Sequence, residues 1–161
     1  MSIEEDDDPW ARSPSLVPDS FALPAPPQSE VFLLEPLDLR HNAADYQAWT
    51  SSVAHIRATP GFAGQTWPNP ALSLEDNAVD LARHARHFAR RIGFTYTVLG
   101  PESGDVIGCV YIYPARDEAH DVDVRSWVRA DQGELDIPLH DLVLQWVTDA
   151  WPFRTPAYAA R

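Results

Sequence analysis

The clearest helical pattern in the chain lies between Ser73 and Gly93. Apolar residues recur there every three or four positions and so share one face of a helix: Leu74, Ala78, Leu81, Ala85, Phe88 and Ile92. Ser73 and Asp76 have the spacing of a capping pair, and Gly93 is typical of a helix end. Less regular patterns of the same period predict helices over residues 43–58 and 137–150.

Shorter apolar runs, some of them alternating with polar residues, predict the strands. They cover residues 31–37, 94–100, 106–115, 120–128 and about 153–159. The Pro-Glu-Ser-Gly-Asp stretch between the second and third runs is typical of a hairpin turn. The order is therefore strand, two helices, three strands, helix, strand. It predicts an α/β (α+β) fold with a mixed, mostly antiparallel, twisted sheet and helices on both faces.

Residues 1–29 differ in composition from the rest of the chain. They contain an acidic run, Glu4 to Asp8, and prolines at positions 9, 14, 18, 24, 26 and 27. Proline removes amide donors and like charges repel, so we predict a disordered, solvated tail here and one folded domain over residues 30–161. A partner-binding arm anchored by Trp10 is the alternative.

The net charge restricts the classes of partner. The chain has 24 acidic and 12 basic residues, a formal charge of −12. Nucleic acids and anionic membranes need clustered basic side chains, so neither is an expected partner. The acidic N-terminus differs from a secretory signal, and the single Cys109 fits a reducing compartment, so we expect a cytoplasmic protein.

Three stretches carry a resemblance to a known family. They are Leu-Glu-Pro-Leu-Asp-Leu-Arg-His at the end of the first strand, Ser-Gly-Asp-Val-Ile-Gly in the hairpin, and the strand, turn and helix over residues 126–147. Together with the element order, they resemble the GCN5-related N-acetyltransferase (GNAT) family over residues 31–159. Relative to that family, the usual C-terminal helix and strands are lacking.

The resemblance implies that acetyl-coenzyme A binds at the fourth strand. Backbone amides of the following turn would hold its pyrophosphate, in a family motif that reads Gln/Arg-x-x-Gly-x-Gly/Ala. Carried over to this chain, the cofactor-binding residues are Trp127, Val128, Arg129, Gln132 and Gly133. The motif is divergent, because Gly133 falls one place late and the final Gly/Ala position has no clear match.

Three carboxylates, on Asp131, Glu134 and Asp136, lie in or next to this turn. If they pointed inward, they would repel a phosphate by roughly 2–3 kcal/mol for each pair of unit charges. If they pointed outward, they would cap the following helix, which is the interpretation we favour.

Asp123 and His120 are the candidate catalytic bases for taking a proton from an amine. Asp123 lies on the polar face of the fourth strand, where an ion pair with Arg125 is the favoured alternative. His120 begins that strand, where a solvated side chain is the alternative. The resemblance places Phe62 and Trp67 in the loop that lines the acceptor side, although they could equally pack that loop onto the body.

His84 and His87 have a helical spacing that can hold a metal, but four arginines surround them. We therefore predict a solvated basic face and no metal, and this face could dock an acidic partner, including the chain's own tail. Cys109 alternates with apolar residues and is expected to be a small buried hydrophobe.

The sequence thus predicts a coenzyme A-dependent N-acyltransferase acting on an unknown small amine, as a homodimer that shares the acceptor pocket. Acetyl-coenzyme A would be the co-substrate. The alternative is a catalytically inactive GNAT-like domain that binds a ligand or a partner protein.

Overall fold

The computed structural model describes residues 8–161. Its strands are β1 (Leu33–Pro36), β2 (Phe94–Leu99), β3 (Val106–Tyr113), β4 (Val122–Val128) and β5 (Pro156–Tyr158). Its α-helices are α1 (Asn42–Thr50), α2 (Val53–Ala58), α3 (Leu74–Ala89) and α4 (Asp136–Ala150). Two 3-10 turns, Leu39–His41 and Ala130–Leu135, precede α1 and α4.

The five strands form one sheet in the order β1-β2-β3-β4-β5. Each neighbouring pair from β1 to β4 is antiparallel, and β5 runs parallel to β4 after the α4 crossover. The mixed, mostly antiparallel sheet predicted from the sequence is confirmed.

The two faces of the sheet carry separate cores. On one face, Val110, Ile112 and Val124 pack with Val143 and Val147 of α4. On the opposite face, buried side chains of β3 and β4 pack with those of α1, α2 and α3: Cys109, Trp127, Trp49, Ile56 and Leu81. Side chains alternate along a strand, so β1 to β4 each contribute to both cores, and the predicted placement of helices on both faces is confirmed.

The N-terminal segment differs from the disordered tail that we predicted. Over residues 8–29 it packs against the sheet, and Val17 is only 2% exposed. Arg91 holds the segment: its carbonyl accepts from the Leu16 amide at 2.7 Å, and its guanidinium donates to the carbonyls of Pro18 and Phe21. A proline-rich segment lacks donors but keeps its acceptors, which one arginine can satisfy. Residues 1–7, which include most of the acidic run, lie outside the described residues.

The single helix predicted over residues 43–58 is two helices in the structure. The break lies at Ser52, whose backbone is non-helical (φ −133°, ψ 20°). Thr50 and Ser51 precede it, and their hydroxyls donate to carbonyls of the previous turn at 2.7 and 3.0 Å. Such local hydrogen bonds compete with the helical ladder and favour its end.

Helix α3 ends at Ala89, earlier than the end at Gly93 that we predicted, and Arg91 adopts a left-handed conformation (φ 59°), which is common just after a helix. Gly93 has another role, because a Cβ atom there would lie 2.3 Å from the ring of Tyr113. The buried face of α3 is also rotated from the predicted apolar stripe. Leu74 is exposed, whereas the polar Asn77 and His87 are buried.

Within residues 8–161, none of the helices has both the length and the apolar character that crossing a membrane requires.

Candidate functional site

The turn after β4 is wound into a 3-10 turn, and two of its amides have partners inside the chain. The Ala130 amide donates to the Ser52 hydroxyl at 2.9 Å, and the Gln132 amide donates to the Arg129 carbonyl at 2.9 Å. The helix break between α1 and α2 therefore has a function in the fold, since it directs Ser52 at this turn. An anion at a helix start needs free amides, and these two are engaged.

The side chains of the turn also face neighbours within the chain. The Arg129 guanidinium donates to the Asp131 carboxylate and to the Val106 carbonyl. Gly133 lies beside the imidazole of His55 on α2, because a Cβ atom at Gly133 would be 3.5 Å from His55 Cε1. The turn thus carries the charge of Asp131, whose side chain is 63% exposed, and borders the His55 ring.

Arg161 occupies the space between β4 and β5 beyond their paired residues. Its Nη2 donates to the Ser126 carbonyl at 2.9 Å, and its Nε donates to Asp136 Oδ2 at 2.7 Å. The Arg161 side chain is only 4% exposed. Nothing in the local sequence around Arg161 signals this placement, which depends on where β5 pairs.

The interpretation of the three carboxylates as caps of the following helix is wrong. Asp131 pairs with Arg129, and Asp136 pairs with Arg161, while α4 has no side-chain cap. Asp131 and Asp136 thus each have an arginine partner, an arrangement that helical propensity does not predict.

The diphosphate of coenzyme A does not fit this turn as it stands. Arg161 lies between β4 and the start of α4, the Asp131 and Asp136 carboxylates belong to the turn and the helix start, and the Ala130 and Gln132 amides are engaged. Of the other residues that the resemblance points to, Trp127 and Val128 have fully buried side chains in the two cores, which leaves only their backbone for a ligand.

A cavity of about 280 Å³ lies on the face of β3 and β4 that α1, α2 and α3 cover, beneath α3 and the loop before it. We call it the α3 cavity. The register of the strands builds its floor, because Tyr111 pairs with Arg125 and Tyr113 pairs with Asp123. All four of these side chains line it.

Three residues singled out from the sequence meet in the α3 cavity: Phe62, Trp67 and Asp123. The Phe62 and Trp67 rings are 6.0 Å apart, and each lies 6.3 Å from the Tyr111 ring. Asp123 Oδ2 accepts from Arg125 Nε at 2.8 Å, which is the ion pair that we had favoured over a catalytic base. The negative charge of Asp123 is thus already balanced by Arg125.

His120 lies away from the cavity. Its Nδ1 is 2.8 Å from Asp117 Oδ1, and both side chains are exposed. The hydrogen bond with His120 holds the pKa of Asp117 below its usual value. This histidine thus belongs to a surface turn, as the alternative interpretation had it.

The prediction that His84 and His87 form a solvated basic face is wrong. Both rings point at the sheet, where the Tyr113 hydroxyl lies 2.9 Å from His84 Nδ1 and 2.8 Å from His87 Nδ1. His84 Nδ1 is also 2.8 Å from the Thr95 hydroxyl. The strands carried the signal that could have placed these histidines. Threonine and tyrosine alternate with apolar residues along β2 and β3, so hydroxyl groups lie on the face that α3 covers.

The N-terminal segment supplies one wall of the α3 cavity. Asp8 Oδ2 lies 2.6 Å from His87 Nε2, and the Trp10 ring lies 5.6 Å from that of Tyr113. Burial raises the pKa of Asp8, but the hydrogen bonds from His87 and the Trp10 amide outweigh it and hold this pKa below its usual value. The chain's own N-terminal segment thus docks on this histidine pair through Asp8, as we considered from the sequence.

The charges around His84 are balanced in pairs. Asp80 pairs with Arg83 at 3.3 Å and with His84 at 3.4 Å. Burial raises the pKa of Asp80, but His84 and Arg83 outweigh that effect and hold it low. Among residues 8–161, no group of three or more His, Cys, Asp or Glu side chains could hold a metal ion.

Cys109 is fully buried beneath this site, as predicted, and burial raises the pKa of its thiol. The thiol is therefore not a nucleophile at neutral pH.

Comparison of the sequence with family models and with curated proteins gives no match. Solved structures do match. They include a ribosomal L7/L12 α-N-protein acetyltransferase, RimL, in complex with coenzyme A, at 16% identity and a TM-score of 0.58, over 75% of this chain and 66% of that one.

A microcin C7 self-immunity acetyltransferase, MccE, in complex with acetyl-coenzyme A and AMP, matches at 12% identity and a TM-score of 0.57, over 80% of this chain and 70% of that one. The ribosomal-protein-S5-alanine acetyltransferase from Vibrio fischeri matches at 14% identity and a TM-score of 0.56, over 76% and 67%. The match thus spans about two thirds of the length of such neighbours. This chain therefore has the fold of the GNAT acetyltransferases.

Proposed function

We propose that this protein is a non-catalytic GNAT-fold module that binds a small ligand in the α3 cavity and does not bind acetyl-coenzyme A after β4. The observation that carries the proposal is the position of Arg161. Its guanidinium lies along β4, where the family resemblance would put the coenzyme, and it pairs with Asp136 at the start of α4.

Electrostatic energies at the turn after β4 favour the Arg161–Asp136 pair over a bound coenzyme. Removing one partner from a buried ion pair leaves an uncompensated charge and typically destabilises a protein by about 3–5 kcal/mol. A coenzyme that displaced Arg161 would leave Asp136 without its partner, and since Asp136 is 17% exposed we expect a smaller cost, about 1–3 kcal/mol. At about 6 Å, with an effective dielectric near 20, the freed carboxylate would also repel a phosphate by roughly 2–3 kcal/mol. The helix start offers only about 0.3–1 kcal/mol of attraction in return.

A second candidate is acetyl transfer from coenzyme A to a small amine. It is favoured by the neighbours RimL and MccE, which hold coenzyme A and acetyl-coenzyme A. It also requires a base, and the candidate Asp123 is paired with Arg125. Acetyl transfer would therefore need both Arg161 and Arg125 to move.

Isothermal titration of the full chain with acetyl-coenzyme A separates the two candidates. We expect no saturable heat at coenzyme concentrations up to about 100 µM, roughly −5.5 kcal/mol of binding free energy. Saturable binding in the wild type would overturn the proposal if Gly133→Glu abolished it and Gly133→Ala did not. The alanine is the matched control, since its Cβ would lie 3.5 Å from His55, an ordinary contact.

A further inference from the structure

We propose that the α3 cavity is a binding site for a small aromatic carboxylate, whose carboxylate group takes the place that Asp8 occupies against His87. The inference rests on the proposed function, because it names the ligand class of that cavity. It also makes the N-terminal segment a built-in competitor for the site.

The Asp8 carboxylate already defines an anion position at the end of the cavity. It contacts His87 Nε2 at 2.6 Å, and the two side chains are 6% and 3% exposed. A carboxylate held this closely and away from water marks a place where the fold stabilises a negative charge. The hydrogen bonds between Arg91 and this segment begin only at Leu16, so an external carboxylate can replace Asp8 and leave them intact.

His87 is oriented as a hydrogen-bond donor at this position. Burial raises the pKa of Tyr113, so its hydroxyl keeps its proton. Burial also lowers the pKa of His87, against the opposing contact with Asp8, which favours a neutral ring. A neutral His87 that donates from Nε2 must accept at Nδ1, and the Tyr113 hydroxyl lies 2.8 Å from Nδ1 to supply that proton.

The remaining charges of the cavity favour an anion over a cation. Asp80 and Asp123, the other two carboxylates that line it, are paired with Arg83 and Arg125. Without Asp8, the lining arginines therefore outnumber the carboxylates by one, which is Arg116. An ammonium group would enter a cationic site with no free carboxylate to receive it.

Arg83 has binding capacity that the fold does not use. It lines the cavity, and its buried Nε has no hydrogen-bond partner among the described residues. A buried donor without a partner is destabilising, and a ligand oxygen would relieve this. Arg83 also contributes to the low pKa of Asp8, which places its charge near the anion position.

Aromatic rings make up much of the remaining wall, and they set the other half of the ligand. Trp10, Phe62, Trp67, Tyr111 and Tyr113 all line the cavity. A space of about 280 Å³ between such rings suits a flat ligand of one or two rings.

The test uses indole-3-acetate as the probe, with indole-3-acetamide and tryptamine as its neutral and cationic matches. Titrations are made on the full chain, on Asp8→Ala and on the control Asp117→Ala, which removes an exposed aspartate that also pairs with a histidine. We expect Asp8→Ala to bind indole-3-acetate at least about tenfold more tightly than the wild type and Asp117→Ala do, because a competing charge-assisted hydrogen bond is gone. Adding Arg83→Gln to Asp8→Ala should weaken that binding and leave the acetamide unaffected.

Nuclear magnetic resonance places the probe, because the indole NH signals of Trp10 and Trp67 should shift on binding. The proposal is overturned if no indole-3-acetate binds to Asp8→Ala at millimolar concentration, if Asp8→Ala binds it no more tightly than the wild type, or if tryptamine binds better. These results are independent of the acetyl-coenzyme A titration, so failure of the ligand class and failure of the proposed function can be told apart.

Discussion

At the scale of single residues, Asp45 shows how burial of a carboxyl group makes the stability of the fold depend on pH. It is 5% exposed, and its carboxylate accepts from Asn77 Nδ2 at 3.1 Å. Burial raises its pKa from 3.8 to about 6, with Asn77 opposing. Between these two values the folded protein binds a proton that the unfolded chain has lost. Stability therefore falls as the pH rises through this window.

Asp45→Asn should remove that loss. At pH 8 we expect the variant to be more stable than the wild type by about 1–3 kcal/mol, from a shift of roughly two pKa units at 1.4 kcal/mol each. At pH 4 the advantage should disappear, because the carboxyl is then protonated in the folded wild type. Urea denaturation at both pH values measures the difference. The exposed Asp149→Asn serves as the control, and an advantage independent of pH would contradict the assignment to Asp45.

The Arg161–Asp136 pair gives a second prediction at this scale. Arg161→Ala leaves the partly buried carboxylate of Asp136, which is 17% exposed, without its partner and should lower the free energy of unfolding by about 1–3 kcal/mol. Arg40→Ala breaks an exposed pair with Glu35, in which Arg40 is 64% exposed, and should lower it by at most about 1 kcal/mol. Equal losses in the two variants, measured by urea denaturation, would mean that Arg161 is not held between β4 and β5 in solution.

Single residues also show why the candidate site was only partly predictable. Phe62, Trp67 and Asp123 could be selected because their residue types stand out in a loop and on a strand. The contact between Tyr113 and His87 could not be predicted from the sequence, because it depends on the rotation of α3 over β3. Arg161 could not be placed at all, because its position follows from the pairing of β4 with β5.

At the scale of elements, the capping pair at the start of α3 is a feature that the sequence did predict. The Ser73 hydroxyl accepts from the Asp76 amide at 3.1 Å, and the Asp76 carboxylate accepts from the Ser73 amide at 2.9 Å. Ser73→Ala should lower the free energy of unfolding by about 1 kcal/mol, because one amide at the helix start loses its partner. Ser20→Ala, at an exposed serine of the N-terminal segment, should be neutral in the same urea denaturation. A neutral Ser73→Ala would mean that water replaces the cap.

The elements with a regular period were predictable, and their interruptions were not. Strands β2 and β3 lie within the predicted ranges because alternation and turn residues act locally. The break at Ser52 combines the local hydrogen bonds of Thr50 and Ser51 with a contact to Ala130, 78 positions along the chain. The local part is compatible with a continuing helix as well, and the long-range partner is contained in no local pattern.

At the scale of the whole molecule, the homodimer predicted from the sequence stays a prediction. Light scattering at micromolar concentration checks it, and a mass near the 18.0 kDa of one chain would contradict it. A monomer would also count against an acceptor pocket shared between two copies.

The larger question at this scale is how far the folded body extends toward the N-terminus. Composition placed the boundary at residue 30, because prolines and charges are poor core formers. The structure instead puts Val17 in the same core as β2, β3 and α4, with Phe21 packed against it. A few apolar residues can hold a proline-rich segment when its carbonyls find donors, as they do on Arg91.

Val17→Ala tests this extended boundary. Removing two methyl groups from a side chain that is 2% exposed should lower the free energy of unfolding by about 1–3 kcal/mol, through lost burial and the cavity left behind. Val31→Ala, at a valine that is 46% exposed, is the matched control and should change it by less than about 0.5 kcal/mol. Urea denaturation compares the two variants. If Val17→Ala were as neutral as the control, the segment would be free in solution, and Asp8 could not compete for the α3 cavity.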